Sequence, residues 1–309
     1  MSKLKIVFMG TPDFSAEVLS ALAAEHDVAA VVTGPDKPVG RGYALKPSPL
    51  KVMASELGIP VLQFEKVSRD GLEAVAALKP DLGVTAAFGQ ILSDKFLSVF
   101  PEGVINVHAS LLPRYRGASP IQWAVLNGDK ETGVTIMRTV KEVDAGDILL
   151  QKRTPIGEKE TAGTLFDRLA VLGGEALCEA VRLIESGEAV YTPQDASSAT
   201  HCGMISKADG KIDFGKTAAE LDRFVRGMTP WPSAWFDYGG GSVKVFRAER
   251  AEGSGAPGEV LAADAKSGLV VACGGGAVRF SVLQPAGKPR MSDTAYLAGH
   301  KIALGAVLS

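Results

Sequence analysis

Short apolar runs alternate with helical patterns through the first third of the chain, and that alternation constrains the fold more than any other feature. Lys5 to Met9 reads as a buried strand, Phe14 to Ala24 as an amphipathic helix entered through Thr11-Pro12-Asp13 with Asp13 as its N-cap, and Val28 to Thr33 as a second strand. A helix near Leu50 to Leu57, a short strand at Val61, a helix from Gly71 to Leu78 and a strand from Leu82 to Ala86 continue the order. Apolar strands separated by helices belong to an α/β fold, a mostly parallel sheet with flanking helices. The turn after the first strand, Gly10-Thr11-Pro12, lacks the Gly-x-Gly-x-x-Gly pattern that lets backbone approach a pyrophosphate. A dinucleotide-binding reading therefore fails.

A later apolar strand, beginning at Val104, ends in chemistry. Asn106 and His108 stand two residues apart on it, so an extended backbone points both side chains to one side. A carboxamide can hydrogen-bond a developing oxyanion, and an imidazole can move protons near neutral pH. Those are the demands of acyl transfer to an amine. Two other stretches stay open on their residues alone. Gly34 to Ser48 is dense in Gly and Pro and carries Lys37, Arg41, Tyr43 and Lys46; it reads as a surface loop or as a loop that contacts substrate. Phe88-Gly89-Gln90-Ile91-Leu92 is a plain strand-to-helix turn or one wall of a pocket for a flat heterocycle.

Beyond the central stretch come strands at Gly133 to Met137 and Ile148 to Gln151, joined by a turn from Val140 to Asp147, then a long helix from Thr164 to Ser186. Val190 to Ser206 has no clear periodicity and reads as a linker, which divides the chain into 1–189, 190–206 and 207–309. The last part has a helical stretch from Thr217 to Met228. Short strands then follow at Val243 to Arg247, Glu259 to Ala262, Leu269 to Ala272 and Val278 to Leu283. With turns at Gly239 to Gly241 and Gly274 to Gly276, these suggest a small OB-like β-barrel.

Composition narrows the classes. At 46% hydrophobic and 22% charged residues, 309 residues suffice for sizeable cores and exclude a disordered chain. The apolar run at the N-terminus is too short for a signal peptide and is cut by Gly10 and Pro12, and no window is long enough to span a membrane. Cys178, Cys202 and Cys273 are widely spaced, without a Cys-x-x-Cys, and suggest neither a disulfide framework nor a zinc site; a reducing cytoplasm is the expected location. Net charge is −2, divided as +3 from Ser206 onward and −5 before it, an asymmetry too small to mark a polyanion partner.

The run Asn106-Val-His108-Ala-Ser110-Leu111-Leu112-Pro113-Arg-Tyr-Arg-Gly117, followed by Val143-Asp144-Ala-Gly146-Asp147, resembles the folate-dependent formyltransferases, almost end to end. The loop Pro35 to Gly42, with Pro47-Ser48-Pro49 and Arg226-Gly-Met-Thr-Pro230-Trp231-Pro232, makes those members that act on initiator tRNA the best fit. Ser93 stands where Pro is expected and Phe214 where Trp is more frequent; neither change removes a catalytic group.

The resemblance implies that 10-formyltetrahydrofolate donates the formyl group and that the α-amino group of methionine on initiator methionyl-tRNA receives it, in translation initiation. It implies Asn106, His108 and Asp144 as the catalytic residues, with Asp144 orienting His108. Phe88, Gln90, Ile91, Leu92, Ser110, Leu111, Leu112 and Pro113 would bind the folate, largely through backbone groups. Lys37, Arg41 and Lys46 would form a loop that meets the tRNA, and the C-terminal barrel would hold its backbone. A monomer with no metal and no membrane association is expected. The alternatives are a formyltransferase for an amino sugar nucleotide, a relative acting on glycinamide ribonucleotide, and a catalytically silent RNA-binding protein.

Overall fold

The computed structural model describes residues 3–39 and 44–309, without the side chains of 39 and 44. They divide into two compact units, the first built from Met1–Gly117, Glu131–Pro155 and Phe166–Cys202. Its elements begin with β1 (Ile6–Gly10), α1 (Asp13–Glu25), β2 (Val28–Thr33), a hairpin of β3 (Lys37–Val39) and β4 (Ala44–Lys46), α2 (Pro49–Glu56) and β5 (Val61–Gln63). After these come α3 (Leu72–Ala77), β6 (Leu82–Ala86), α4 (Asp94–Leu97), β7 (Val104–His108) and β8 (Arg116–Gly117). The chain then runs through α5 (Pro120–Asn127), β9 (Glu131–Arg138), β10 (Ile148–Pro155), α6 (Ala162–Ser186) and β11 (His201–Cys202).

Seven strands form one sheet in the order β10-β9-β7-β6-β1-β2-β5. Pairing is parallel from β7 to β5, whereas β9 runs antiparallel to both β7 and β10. The mostly parallel sheet is as expected from the alternation. Its strands are apolar throughout because both faces are covered: Ile6, Val7, Phe8 and Met9 are all fully buried, although successive residues point to opposite faces. Val7, Met9, Val32 and Val104 pack with Val75, Phe96 and Phe100 in one core cluster. Parallel pairing has a consequence for function. The segments that leave the carboxyl ends of β1, β2, β6 and β7 emerge along one edge of the sheet, which is where ligands bind in open α/β sheets.

Two local expectations change. Asp13 does not cap α1; the N-cap position is Pro12, with no side-chain cap bond, and Asp13 sits in the first turn, where its charge suits the helix dipole. The buried Ser15 hydroxyl instead accepts the Thr11 N–H (3.1 Å) and donates to Ala86 O (2.6 Å), tying the β1–α1 turn to the end of β6. Part of Gly34 to Ser48 is the β3/β4 hairpin, in which Lys37 pairs with Lys46.

The second unit comprises Ala118–Lys130, Ile156–Leu165 and Gly203–Ser309. It holds α7 (Ala218–Met228), β12 (Ala234–Tyr238), β13 (Gly241–Ala251), β14 (Val260–Asp264), β15 (Gly268–Ala272), β16 (Ala277–Pro285), β17 (Met291–Ser292) and α8 (Asp293–Gly299). The strands form an antiparallel sheet ordered β12-β13-β16-β15-β14, with β17 on β16, a small barrel-like domain of the expected kind. Long β13 bends through irregular pairing between Val245 and Ala248. Phe236 stacks on Phe280 at 5.9 Å, and Leu221 and Val225 of α7 share that core. A capping box starts α7: Thr217 Oγ1 accepts the Glu220 N–H and the Glu220 carboxylate accepts the Thr217 N–H.

One buried ion pair staples this unit. Asp293, 1% exposed, accepts from Arg279 Nε (2.7 Å) and Nη2 (3.1 Å) and from the N–H groups of Leu269 and Thr294. Burial pushes its carboxyl up, but the Arg279 guanidinium and the two backbone donors outweigh burial and hold it below the ordinary carboxylate value. A depressed native pKa gives stability that is present above the unfolded value of about 3.9 and is lost as pH falls through the native value. Asp293→Asn should therefore destabilise the protein by about 3 kcal/mol at pH 7, the low end for a broken buried pair because Arg279 reaches water. Urea unfolding at pH 7 and pH 3 checks it; the gap between wild type and variant should narrow at pH 3, and an equal gap at both would contradict the assignment.

Candidate active site

Asn106 and His108 lie at the carboxyl end of β7, a strand held on both sides. Asn106 is in register with Thr85 of β6 and Met137 of β9, and His108 with Thr135. The Thr85 hydroxyl donates to Asn106 Oδ1 at 2.8 Å. With its oxygen so engaged, the half-buried carboxamide keeps its NH₂ as the end that can donate to a ligand.

The imidazole of His108 is buried between two acceptors. Nε2 lies 2.9 Å from the backbone oxygen of Tyr115, and a carbonyl only accepts, so Nε2 carries the proton of that bond. Nδ1 faces Asp144 Oδ2 at 3.6 Å. The sequence-distant carboxylate thus meets the imidazole, as the resemblance implies.

Asp144 is held by its own constraints. Its φ is +52°, a left-handed conformation that Asp tolerates better than most residues. Oδ2 accepts the Gly117 N–H at 2.8 Å. Two glycines let the surrounding turns close. Gly117 has φ +117°, and a Cβ there would collide with the carbonyl oxygen of Cys202, while a Cβ at Gly146 would collide with that of Arg138.

The 110–113 turn after β7 is clamped from below. The fully buried Thr135 hydroxyl donates to Ser110 O (2.6 Å) and accepts the Leu112 N–H (3.1 Å), and Gln151 Nε2 donates to Leu112 O (2.8 Å) and Thr135 Oγ1 (2.9 Å). Ser110 spends its hydroxyl on Arg114 O at 2.7 Å. Leu112 is buried, and Leu111 and Pro113 are half-buried. In the turn after β6, Phe88 and Leu92 bury their side chains in the core cluster, and Ile91 is 82% exposed. Gln90 braces the neighbouring loop, accepting the Val67 N–H (2.8 Å) and donating to Phe64 O (3.1 Å). Ser110, Gln90 and the two core side chains therefore meet protein groups, which leaves the backbone, the exposed Ile91 and the half-buried Leu111 and Pro113 of these turns.

Lys37 and Lys46 are both exposed and directly opposite across the β3/β4 hairpin. Like charges in that position destabilise a hairpin. At its base, Lys51 Nζ donates to both oxygens of Asp36 and to Gln63 Oε1, and the Lys51 hydrogen bond first, then that of Gln63, holds the Asp36 carboxyl below its usual range. Arg41 lies outside the described residues.

Thr85, Thr135, Tyr115, Gln151 and Gln194 shape the site without having been expected. The two threonines had a signal, since each interrupts an otherwise apolar strand, and Tyr115 lies within the run that carries the resemblance; the two glutamines had none. Among the described residues, one group brings metal-ligand atoms within mutual reach, Glu25, His26 and Cys178. Burial, and next the Glu25 charge, push the Cys178 thiol up to about 11, and Arg182 occupies Glu25, so the group offers no ready thiolate.

Comparison with known proteins bears on this geometry. Residues 4–181 match the formyl transferase family and residues 204–301 its C-terminal domain. A protein of Macrococcus caseolyticus named methionyl-tRNA formyltransferase is 51% identical over 298 residues, 96% of each chain. Among solved structures, an N-formyltransferase from Helicobacter canadensis in complex with folinic acid and dTDP-3-aminofucose aligns with a TM-score of 0.68 at 19% identity, over 93% of this chain and 100% of its own. HypX from Aquifex aeolicus in complex with tetrahydrofolic acid aligns with a TM-score of 0.67 at 19% identity; this chain covers 47% of that longer protein. The two structural likenesses speak to the fold alone. With both family regions matched in order along one chain and a full-length relative half identical, the chain belongs to the formyl transferase family and, within it, to the methionyl-tRNA formyltransferases.

Proposed function

We propose that the protein transfers the formyl group of 10-formyltetrahydrofolate to the α-amino group of methionine on initiator methionyl-tRNA. The observation that carries the reading is the Asn106 carboxamide, its oxygen engaged by Thr85 and its NH₂ available, on the same strand face as an imidazole that meets Asp144. The amine attacks the formyl carbon, negative charge grows on the formyl oxygen, and the bond from that carbon to N10 breaks as the amine's proton passes to N10. Asn106 is the donor to that oxygen. His108, held between Tyr115 O and Asp144, acts as a fixed electrostatic neighbour of the reacting centre; a shuttling role would require it to release one of those partners. The Ser110 to Pro113 turn, clamped by Thr135 and Gln151, and the Phe88 to Leu92 turn offer backbone groups to the pterin.

The facing Lys37 and Lys46 support a polyanion contact, because phosphate relieves the repulsion the hairpin otherwise carries. Replacing both by Ala should lower kcat/KM for charged tRNA several-fold, with a smaller effect at high salt, and leave the KM for the formyl donor unchanged. An equal loss at all salt concentrations would contradict phosphate contacts. The decisive assay supplies 10-formyltetrahydrofolate with charged initiator tRNA or with an amino sugar nucleotide and follows tetrahydrofolate release. Turnover with tRNA is expected; turnover only with the sugar would replace this reading.

A further inference from the structure

The two matched family regions leave 182–203 between them, assigned to neither. That stretch contains the residues read as a linker, yet in the first unit it is stitched to the catalytic loop. Thr200 N–H donates to Pro113 O (3.2 Å), Thr200 O accepts the Arg116 N–H (2.8 Å) and Thr200 Oγ1 accepts the Tyr115 N–H (2.9 Å). His201 and Cys202 pair in parallel with Arg116 and Gly117.

Gln194 has the most demanding position. Its Nε2 donates to the backbone oxygens of Asp144 (2.9 Å) and Gly146 (2.7 Å), and its Oε1 accepts from Arg116 Nε (3.0 Å) and Nη2 (2.8 Å). A carboxamide has two protons and one oxygen with two lone pairs, and all are used here. The contacts close a circuit: Gln194 holds the Asp144 peptide, Asp144 Oδ2 holds the Gly117 N–H, and the preceding Arg116 returns to Gln194. Tyr115, next in that loop, supplies the oxygen on His108 Nε2. The circuit therefore ties together the loops that carry both acceptors flanking the imidazole, and both residues, Tyr115 at φ +61° and Asp144 at φ +52°, are in the left-handed conformation that most needs external support.

We infer that Gln194 is a positioning residue for formyl transfer, clasping the Asp144 turn to the Arg116-Gly117 strand so that carboxylate and imidazole stay in register. The inference rests on the function proposed above. Gln194→Ala should lower kcat about 10- to 10²-fold, the effect of a catalytic group displaced by about 1 Å, while KM for both substrates changes by less than about twofold. Gln194→Glu keeps the oxygens for Arg116 but loses both donors, so it should fall with the Ala variant. The discriminating measurement is a double-mutant cycle: in an Asp144→Asn background, Gln194→Ala should cost less than about twofold more, because the group it positions is already impaired. An undiminished kcat in Gln194→Ala, or the same fold-loss in both backgrounds, overturns the inference. Wild-type turnover separates this outcome from failure of the proposed function. Exchange of the Gly117 N–H reads the clasp without turnover; it should quicken in both Gln194 variants, and an unchanged rate contradicts the clasp.

Discussion

Asn106→Ala is expected to lower kcat on the order of 10²- to 10³-fold while leaving the affinity for the formyl donor within about twofold of wild type. The expectation follows from when the contact matters. The ground-state formyl oxygen carries little charge, so a donor aimed at it contributes mainly as the tetrahedral oxyanion forms, and its loss appears in kcat rather than in binding. Stability should change little. Asn106 is half-buried, and its side-chain partner, the Thr85 hydroxyl, has Ile105 O at 3.3 Å as a second acceptor. Thr85→Val offers a companion measurement: it keeps the shape but frees the Asn106 oxygen, so the carboxamide can turn over, and a smaller fall in kcat should follow. Single-turnover rates with saturating donor and charged tRNA test both. A wild-type rate in Asn106→Ala would remove the carboxamide from the chemistry.

Asp144→Asn is expected to cost on the order of 10²-fold in kcat, and His108→Ala at least as much, the scale of losing one preorganised electrostatic group beside a developing charge. The Asn substitution is informative because it changes so little else. Asn tolerates the left-handed conformation at φ +52°, and its side-chain oxygen can still accept the Gly117 N–H that Asp144 Oδ2 accepts now. What disappears is the negative charge 3.6 Å from His108 Nδ1. Without that charge the imidazole loses one of the two groups that hold it beside the reacting centre, so kcat should fall at saturating substrate and the variant should gain nothing from added imidazole. Full activity in Asp144→Asn would confine Asp144 to a structural role.

The geometry of the candidate site was legible where a single periodicity decides it. Asn106 and His108 share a face because a strand repeats every two residues, and the sheet is mostly parallel because its strands are apolar on both faces. Long-range closure was harder to read. Asp144 could be matched to His108 only through resemblance, since the turn that returns it depends on a left-handed residue and a close glycine contact that local pattern does not encode. The N-cap of α1 was misplaced because the helix starts one residue earlier, with Pro12 O already accepting the Ser15 and Ala16 N–H groups that an Asp13 cap would have served. The β3/β4 hairpin was hidden by Gly and Pro, and α8 by its seven-residue length. Gln194 left no trace because a polar residue in an aperiodic stretch resembles a solvated linker until its hydrogen bonds to Arg116, Asp144 and Gly146 are seen.

The pairing of Lys37 with Lys46 has a similar lesson on the other side of function. Basic residues in a Gly- and Pro-rich loop mean little by count, and net charge pointed away from a polyanion. Register changes their weight, because two exposed ammonium groups facing each other across a short hairpin form a local field that neither produces alone.

The most direct measurement is a crystal structure with a formyl donor analogue that cannot transfer its formyl group. The formyl oxygen should lie about 2.7 to 3.1 Å from Asn106 Nδ2, with Thr85 still on Asn106 Oδ1 and His108 still between Tyr115 O and Asp144. A formyl group seated beyond hydrogen-bond reach of Asn106, with the imidazole and Asp144 parted, would contradict the account.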